Sequence, residues 1–286
     1  MELSIIIPAK NEEASLALLL PDLKKNYPEA EVIIVNDGSN DGTLALCLKY
    51  GVKIVTHPYS LGNGAAVKSG ARIATGDIWI TMDADGQHQP KDIADLLKKL
   101  HEGYDMVVGA RDKSSQANRL RCLGNGIYNR VATWLVEKPI KDLTSGFRAV
   151  RAEKFKEFIY LLPNGFSYPT TITMAFFRAG YSVAYHPIVA LKREGKSHIN
   201  LMNDGLKFML IIFKIATLYS PLRMFMPVSA FFFITACCYY LYTFIVSERF
   251  TNMGALLFIT AILVFLMGLI SEQITVLMYQ SRKQNF

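Results

Sequence analysis

The segment "TMDADGQHQP" (81–90) sets two carboxylates, Asp83 and Asp85, one small residue apart, with the amide of Gln87 and the imidazole of His88 directly behind them. It follows the apolar run "GDIWI", so the pair falls at the end of a strand. One carboxylate can cap a turn; two at this spacing more often share a positive charge. Mg2+ or Mn2+ fits that role, because such a cation takes one or two carboxylates and completes its shell with phosphate oxygens and water. A cation held there bridges a nucleotide diphosphate and stabilises the charge that develops as the diphosphate leaves. A second acidic loop, "VNDGSNDGT" (35–43), puts Asp37 at another strand end. There it can accept hydrogen bonds from a base or a ribose; a plain turn with an Asx cap is the simpler reading of the same residues.

The elements that must position these groups are legible as alternating patterns. "LSIIIP" reads as a strand ending at Pro8, followed by a helix from about Glu13. "AEVIIVND" is a second strand, and Asp41 or Thr43 can cap the helix "LALCLKYG" behind it. "VKIVTH" is a third strand, "GNGAAVKSGARIATG" a helix of small residues, and "DIWITMD" a fourth strand. "PKDIADLLKKLHEG" is an amphipathic helix with proline at its start, and "YDMVVGA" a fifth strand. Strands alternate with helices, and each strand is a continuous apolar run. Both features call for an α/β domain with a mostly parallel sheet covered on two faces. Ligands bind such sheets at the carboxyl ends of the strands. Asn11 and Glu12, Asn36 and Asp37, Asp83 and Asp85, and Arg111 all follow strands at that edge. "LGNGAAVKSG" lacks the G-x-G-x-x-G spacing and the acidic ribose partner of a dinucleotide loop. Its small residues serve close packing of helix on sheet.

The chain has 286 residues and changes character after Pro221. "MFMPVSAFFFITACCYYLYTFIV" (224–246) and "GALLFITAILVFLMGLIS" (254–271) contain no charge. Each approaches the roughly 20 residues that cross a bilayer core as a helix. Lys207, Lys214 and Arg223 precede the first segment, and Arg282 and Lys283 follow the second. The positive-inside rule then puts both flanks, and the N-terminal domain, in the cytoplasm; no basic start precedes the first strand as a signal peptide requires. Between domain and spans, residues 201–220 carry Asn203, Lys207, Lys214 and Thr217 on one helical face, which suits a helix lying in the bilayer interface or packed on the domain. Glu272, at the end of the second apolar segment, is expected to pair with Arg223 or with a lysine of that helix. The expected domains are therefore 1–200, 201–222 and 223–286. The net charge of +7 suits an anionic membrane surface. No basic run interleaved with aromatics points to nucleic acid. Cys47, Cys122, Cys237 and Cys238 have no metal-ligand spacing and read as packing residues.

In order and spacing, "SIIIPAKNE", "VIIVNDGSNDGT", "MDADGQHQP" and "DLTSGFRAVR" resemble the motifs of family 2 inverting glycosyltransferases of the GT-A fold. The nearest likeness is to the polyprenyl-phosphate branch, of the dolichyl-phosphate mannose synthase type, over about residues 3 to 200. The resemblance implies that Pro8, Ala9, Asn11, Glu12 and Asp37, with Asp83, line a pocket for a GDP- or UDP-sugar. It implies that Asp83, Asp85 and Gln87 hold Mg2+ or Mn2+, and that Asp85, Arg111 and Arg193 act in catalysis. Arg111, Arg119, Arg193 and Ser197 become the seat of the acceptor phosphate, although "KREGKSHIN" has His198 where the family usually has lysine. The implied partners are the nucleotide sugar, a polyprenyl phosphate and membrane lipids; a homo-oligomer is compatible with the sequence.

A lipid monophosphate is already anionic and needs no general base, unlike a hydroxyl acceptor. What it needs is arginine, which grips phosphate bidentately; Arg111, Arg119, Arg121, Arg148, Arg151 and Arg193 are available, about half of them expected to be solvated surface. Two alternatives are a transferase acting on a lipid hydroxyl such as diacylglycerol, and a non-catalytic membrane scaffold. The intact acidic motifs disfavour the scaffold. Q-x-x-R-W, which marks processive synthases, does not occur around Trp79 or Trp134, so a single transfer is expected.

Overall fold

The computed structural model describes residues 2–111, 119–165, 168–189, 213, 217 and 219–280. It divides into two compact units, 1–199 and 200–286.

The first unit is built on a seven-stranded sheet of β1 (Leu3–Ala9), β2 (Glu31–Asp37), β3 (Lys53–His57), β4 (Ile78–Thr81), β5 (Met106–Arg111), β6 (Arg148–Arg151) and β7 (Val183–Ile188). Their order is β3-β2-β1-β4-β6-β5-β7. All neighbours are parallel except β6, which runs antiparallel to both β4 and β5. The fold is thus the mostly parallel α/β sheet expected from the apolar strands. Ile5, Ile6 and Ile7 of β1 and Ile33, Ile34 and Val35 of β2 are fully or almost fully buried, as a sheet covered on both faces requires.

The helices are α1 (Glu13–Asn26), α2 (Thr43–Lys49), α3 (Asn63–Ile73), α4 (Asp92–His101), α5 (Arg119–Val136), α6 (Ala152–Lys156) and α7 (Tyr168–Arg178). In α3, a Cβ on Gly70 would meet Ile6 Cγ2 at 2.5 Å, so the small residues do let this helix press onto the sheet. In α4, Ile93, Leu96 and Leu100 recur at helical spacing and are fully buried.

Strand order creates the site. From β1 the chain passes outward to β2 and β3, then returns to lay β4 on the other side of β1. The loops after β1 and β4 therefore leave in opposite directions, and a crevice opens at the carboxyl ends of these two strands. The sequence patterns do not register β6, β7, α5 or α7. β6 is a four-residue strand, "RAVR", whose flanking arginines mask its burial.

The long helices of the second unit among the described residues are α8 (Pro221–Ser247) and α9 (Asn252–Gln280), with proline at the start of α8. Pro221–Val246 and Asn252–Leu277 are long and apolar enough to cross a membrane. Small residues lie between them: Ala236 and Ala261 are buried, and the Ser229 hydroxyl donates to the Ala261 carbonyl at 2.8 Å. Glu272 lies within α9 and reaches the start of α8, where its Oε2 accepts the Leu222 N–H at 3.4 Å. Apart from Thr217, the polar stripe expected over 201–220 lies outside the described residues.

Candidate active site

Beyond β4 the chain buries Met82 and Ala84 and leaves Asp83 and Asp85 half-buried between and after them. The turn is closed by the Gln87 N–H, which donates to Asp85 Oδ1 at 3.2 Å, and by the Asp83 N–H, which donates to His88 Nδ1 at 3.3 Å. His88 is buried and stacks on Phe147, with ring centroids 5.0 Å apart and planes 16° from parallel. Burial, together with the nearby Arg111 charge, outweighs the pull of Asp85 and Asp142 and lowers the His88 imidazole to about 4. His88 is therefore neutral, and because Nδ1 accepts, its proton sits on Nε2. Its role is to brace the acidic turn.

Phe147 belongs to the segment 142–147, which enters β6 antiparallel and so delivers its loop to the same edge. A Cβ on Gly146 would lie 2.7 Å from Asp83 Oδ2; only glycine lets this backbone back the carboxylate so closely. The Gly146 carbonyl is held by the Thr81 hydroxyl at 2.8 Å, at the end of β4.

Arg111 ends β5 and is clamped by Asp142. Its Nε donates to Asp142 Oδ2 at 2.8 Å, its Nη2 to Oδ1 at 3.0 Å, and Nη2 also to the Thr144 hydroxyl at 2.6 Å. Asp142 further accepts the Thr144 and Ser145 N–H groups at 3.1 and 3.2 Å, which fixes the loop around it. Burial tends to raise the Asp142 carboxyl, but the Arg111 guanidinium and these N–H groups hold it below the usual range. Asp83 and Asp85 both act on the Arg111 charge, so the clamp and the acidic pair share one electrostatic field.

Arg148 is fully buried beneath this loop. It donates to the carbonyls of Ser145 at 2.9 Å and Leu143 at 3.4 Å, and to the Thr173 hydroxyl at 2.6 Å, with no carboxylate bonded to it among the described residues. It neither grips phosphate nor lies on solvated surface: it is the internal strut of the 142–147 loop. Asp142, His88 and Arg148 have roles that the spacing of motifs did not reveal. The available signal was two charged residues inside the apolar-flanked stretch "DLTSGFRAV".

The residues expected to line a nucleotide pocket stand at the ends of β1 and β2 and in the loop after β1. Pro8 and Ala9 pair in register with Val35 and Asn36. Asn11 adopts a positive φ of 55° and laces the two loops together: its N–H donates to the Ser39 hydroxyl at 3.0 Å, and its Oδ1 accepts the Asn40 N–H at 2.8 Å. The Glu12 N–H donates to the Thr43 hydroxyl at 3.1 Å, and Asp41 Oδ1 accepts the Thr43 N–H at 3.0 Å, just ahead of α2. Asp37 is occupied from within. It accepts His57 Nδ1 at 2.7 Å, the Ser60 hydroxyl at 2.7 Å, and the Leu61 and Gly62 N–H groups at 2.8 and 2.9 Å. Burial works to raise its carboxyl, but these four donors outweigh it and lower it. In this structure Asp37 shapes the loop between β3 and α3. Arg193, Ser197 and His198 lie outside the described residues, as do the side chains of Arg119 and Arg121.

The donor set fits a hard divalent cation. Asp83 and Asp85 offer carboxylate oxygens and Gln87 a carboxamide oxygen, while among the described residues no group of three or more His, Cys, Asp or Glu residues is placed to hold a metal ion by itself. Mg2+ or Mn2+ suits such a partial shell, which a substrate phosphate completes.

The model of glycosyl transferase family 2 matches residues 4–159, more than half of the chain. The chain belongs to glycosyl transferase family 2. A second model, the GtrB C-terminal hairpin, matches residues 220–277, the two apolar helices. Among family relatives, the polyprenol monophosphomannose synthase of Mycolicibacterium smegmatis is 29% identical over 66% of this chain and 77% of its own length. A dolichyl-phosphate hexose transferase of Haloferax volcanii is 28% identical over 71% of this chain and 89% of its own. The glucosyl-3-phosphoglycerate synthase of Mycobacterium tuberculosis, solved with Mn2+ and UDP-glucose, superposes with a TM-score of 0.59 at 21% identity, covering 74% of this chain and 76% of that one. That likeness shows the shared GT-A fold. The chain is an enzyme, a glycosyltransferase of this family with two candidate membrane helices.

Proposed function

We propose that this chain transfers a sugar from a nucleotide diphosphate sugar to a polyprenyl monophosphate, with inversion, at the cytoplasmic face of a membrane. The observation that carries the reading is the acidic pair Asp83 and Asp85, backed by Gly146 and facing the Arg111–Asp142 clamp, in a family 2 domain that precedes a GtrB-type hairpin. The names of the Mycolicibacterium and Haloferax relatives support the lipid-phosphate acceptor.

Asp83, Asp85 and Gln87 would hold Mg2+ or Mn2+, which supplies positive charge against the leaving diphosphate. Pro8, Ala9, Asn11, Glu12 and Asp37 form the nucleotide side of the crevice. Arg111, fixed by Asp142, presents a preoriented cation to the phosphates, so no reorganisation is needed as charge develops. The acceptor phosphate attacks as an anion, and this chain need supply only its placement. Arg119, Arg193 and Ser197 complete the acceptor side in this reading. Residues 1–200 are then the catalytic domain, 201–222 an interfacial segment and 223–286 the anchor.

The test is incubation of the purified full chain with labelled nucleotide sugars, polyprenyl phosphate and Mg2+ or Mn2+. A lipid product that releases its sugar in mild acid supports the reading. An acid-stable glycolipid formed on diacylglycerol would replace it with the hydroxyl-acceptor reaction.

A further inference from the structure

The glycines of "LGNGAAVKSG" (61–70) open the start of α3 to a distant part of the backbone. Gly62 has a φ of 101°, and a Cβ on it would lie 2.6 Å from the Asn164 carbonyl oxygen. A Cβ on Gly64 would overlap the Pro163 carbonyl oxygen. Residues 162–165 are therefore seated directly on these two glycines. They also fill the end of the helix. The first N–H groups of an α-helix lack partners within it. Here the Gly64 N–H donates to the Gly165 carbonyl at 3.3 Å and the Ala65 N–H to the Asn164 carbonyl at 2.8 Å. One turn further along α3, Lys68 Nζ closes the contact by donating to the Leu162 carbonyl at 3.0 Å and to the Asn164 carboxamide oxygen. A helix N-terminus of the kind that binds a diphosphate in dinucleotide folds is thus occupied by the protein's own carbonyls.

The same helix holds Asp37. The Gly62 N–H, just before α3, donates to Asp37 Oδ2 at 2.9 Å. Ser69, next to Lys68, places its hydroxyl 2.9 Å from His57 Nε2, and His57 Nδ1 lies 2.7 Å from Asp37 Oδ1. His57 and Asp37 are both buried, so neither shifts without α3. Two routes therefore run from residues 162–165 to one carboxylate. One passes through Gly64 and Gly62, the other through Lys68, Ser69 and His57.

We infer that residues 162–165 form a latch on α3 that sets the nucleotide side of the crevice, with Lys68 and Asn164 as positioning residues for Asp37 and the loop it organises. The inference rests on the donor reading above, in which Asp37 belongs to the nucleotide side. With the latch seated, the start of α3 is fixed and the Leu61 and Gly62 N–H groups stay on Asp37. With it released, that loop loses its brace, and opening it costs only the few hydrogen bonds that remain local to it.

The experiment uses the full chain in detergent, with UDP and GDP in the presence of Mn2+ as probes. Lys68→Met and Asn164→Ala each remove part of the latch, and Lys68→Arg keeps a donor there. Asn164 is exposed, so its variant leaves the core untouched. Hydrogen exchange of the peptide 58–62, read without nucleotide, should quicken in both truncations and return toward the wild type in Lys68→Arg. In calorimetry the nucleotide that the wild type binds should bind each truncation roughly threefold to tenfold more weakly, as for the loss of one hydrogen bond. The donor KM should rise in step, with kcat and the acceptor KM unchanged. The double variant should fall short of the product of the single effects, because both changes break the same contact. Wild-type exchange at 58–62 in Lys68→Met would overturn the latch, whatever that variant does to melting. So would a loss confined to kcat. If exchange quickens but the wild type binds neither UDP nor GDP, the donor reading fails and the latch stands.

Discussion

Gly146 and Asp83, 63 positions apart in the chain, are in contact so close that a Cβ on the glycine would sit 2.7 Å from the carboxylate oxygen. The acidic turn is therefore shaped by the backbone of a distant loop as much as by its own sequence. Gly146→Ala should push Asp83 aside without disturbing the core. We expect kcat/KM to fall by tenfold or more, equivalent to roughly 1.4 kcal/mol, with weaker Mn2+ affinity and an unchanged circular dichroism spectrum. Unaltered Mn2+ affinity would remove the contact from the functional account.

Asp85→Asn removes a charge from the proposed metal site while keeping shape. Turnover should drop by orders of magnitude at unchanged thermal stability, and excess chelator should silence the wild type but add nothing to the variant. Full activity of Asp85→Asn in chelator would refute the metal assignment.

Asp142 is nearly buried and gives both oxygens to Arg111. Asp142→Asn leaves the guanidinium without its counter-charge, and breaking such a pair costs on the order of 3 kcal/mol. Arg111→Lys keeps the charge but loses the fork. The first variant should melt earlier and be inactive. The second should melt near the wild type yet lose phosphate-dependent turnover. If Arg111→Lys shows unchanged kinetics for donor and acceptor, Arg111 serves packing alone.

Glu31 marks the opposite edge of the sheet. Burial works to raise its carboxyl, but bonds from Lys53, Ser4 and Thr75 bring it from 4.5 down to about 2. A depressed folded-state value stabilises the fold above the unfolded value, and that contribution is lost as pH falls from 4.5 toward about 2. Glu31→Gln should cost about 1–2 kcal/mol at neutral pH and flatten the acid limb of a stability profile measured from pH 6 downward. An unchanged acid limb would show that Glu31 does not contribute to it.

Within the second unit, Glu272 accepts a backbone N–H at the start of α8, where helical N–H groups lack partners. Glu272→Gln should be mild, because the amide oxygen still accepts; Glu272→Leu should loosen the hairpin. Limited proteolysis or hydrogen exchange of α8 reads the difference. Equal protection in all three proteins would show the bond to be incidental.

The sequence by itself determined the alternation of strands and helices, the apolar burial of β1, β2, β4 and β5, the placing of Asp83 and Asp85 just past a strand end, and the two long apolar helices. These depend on local composition and period, which a linear chain carries directly. What the tertiary structure decided was adjacency. That β4 lies beside β1, and β6 antiparallel between β4 and β5, follows from packing helices and strands on two faces of one sheet, and no local pattern encodes it. Only that order brings Asp142 to Arg111 across 31 residues, Phe147 onto His88, and Gly146 against Asp83. Asp37 shows the same limit from the other direction. Its position at a strand end was legible, but the four donors that engage it come from β3 and the loop behind it, which reach it only once the sheet has formed.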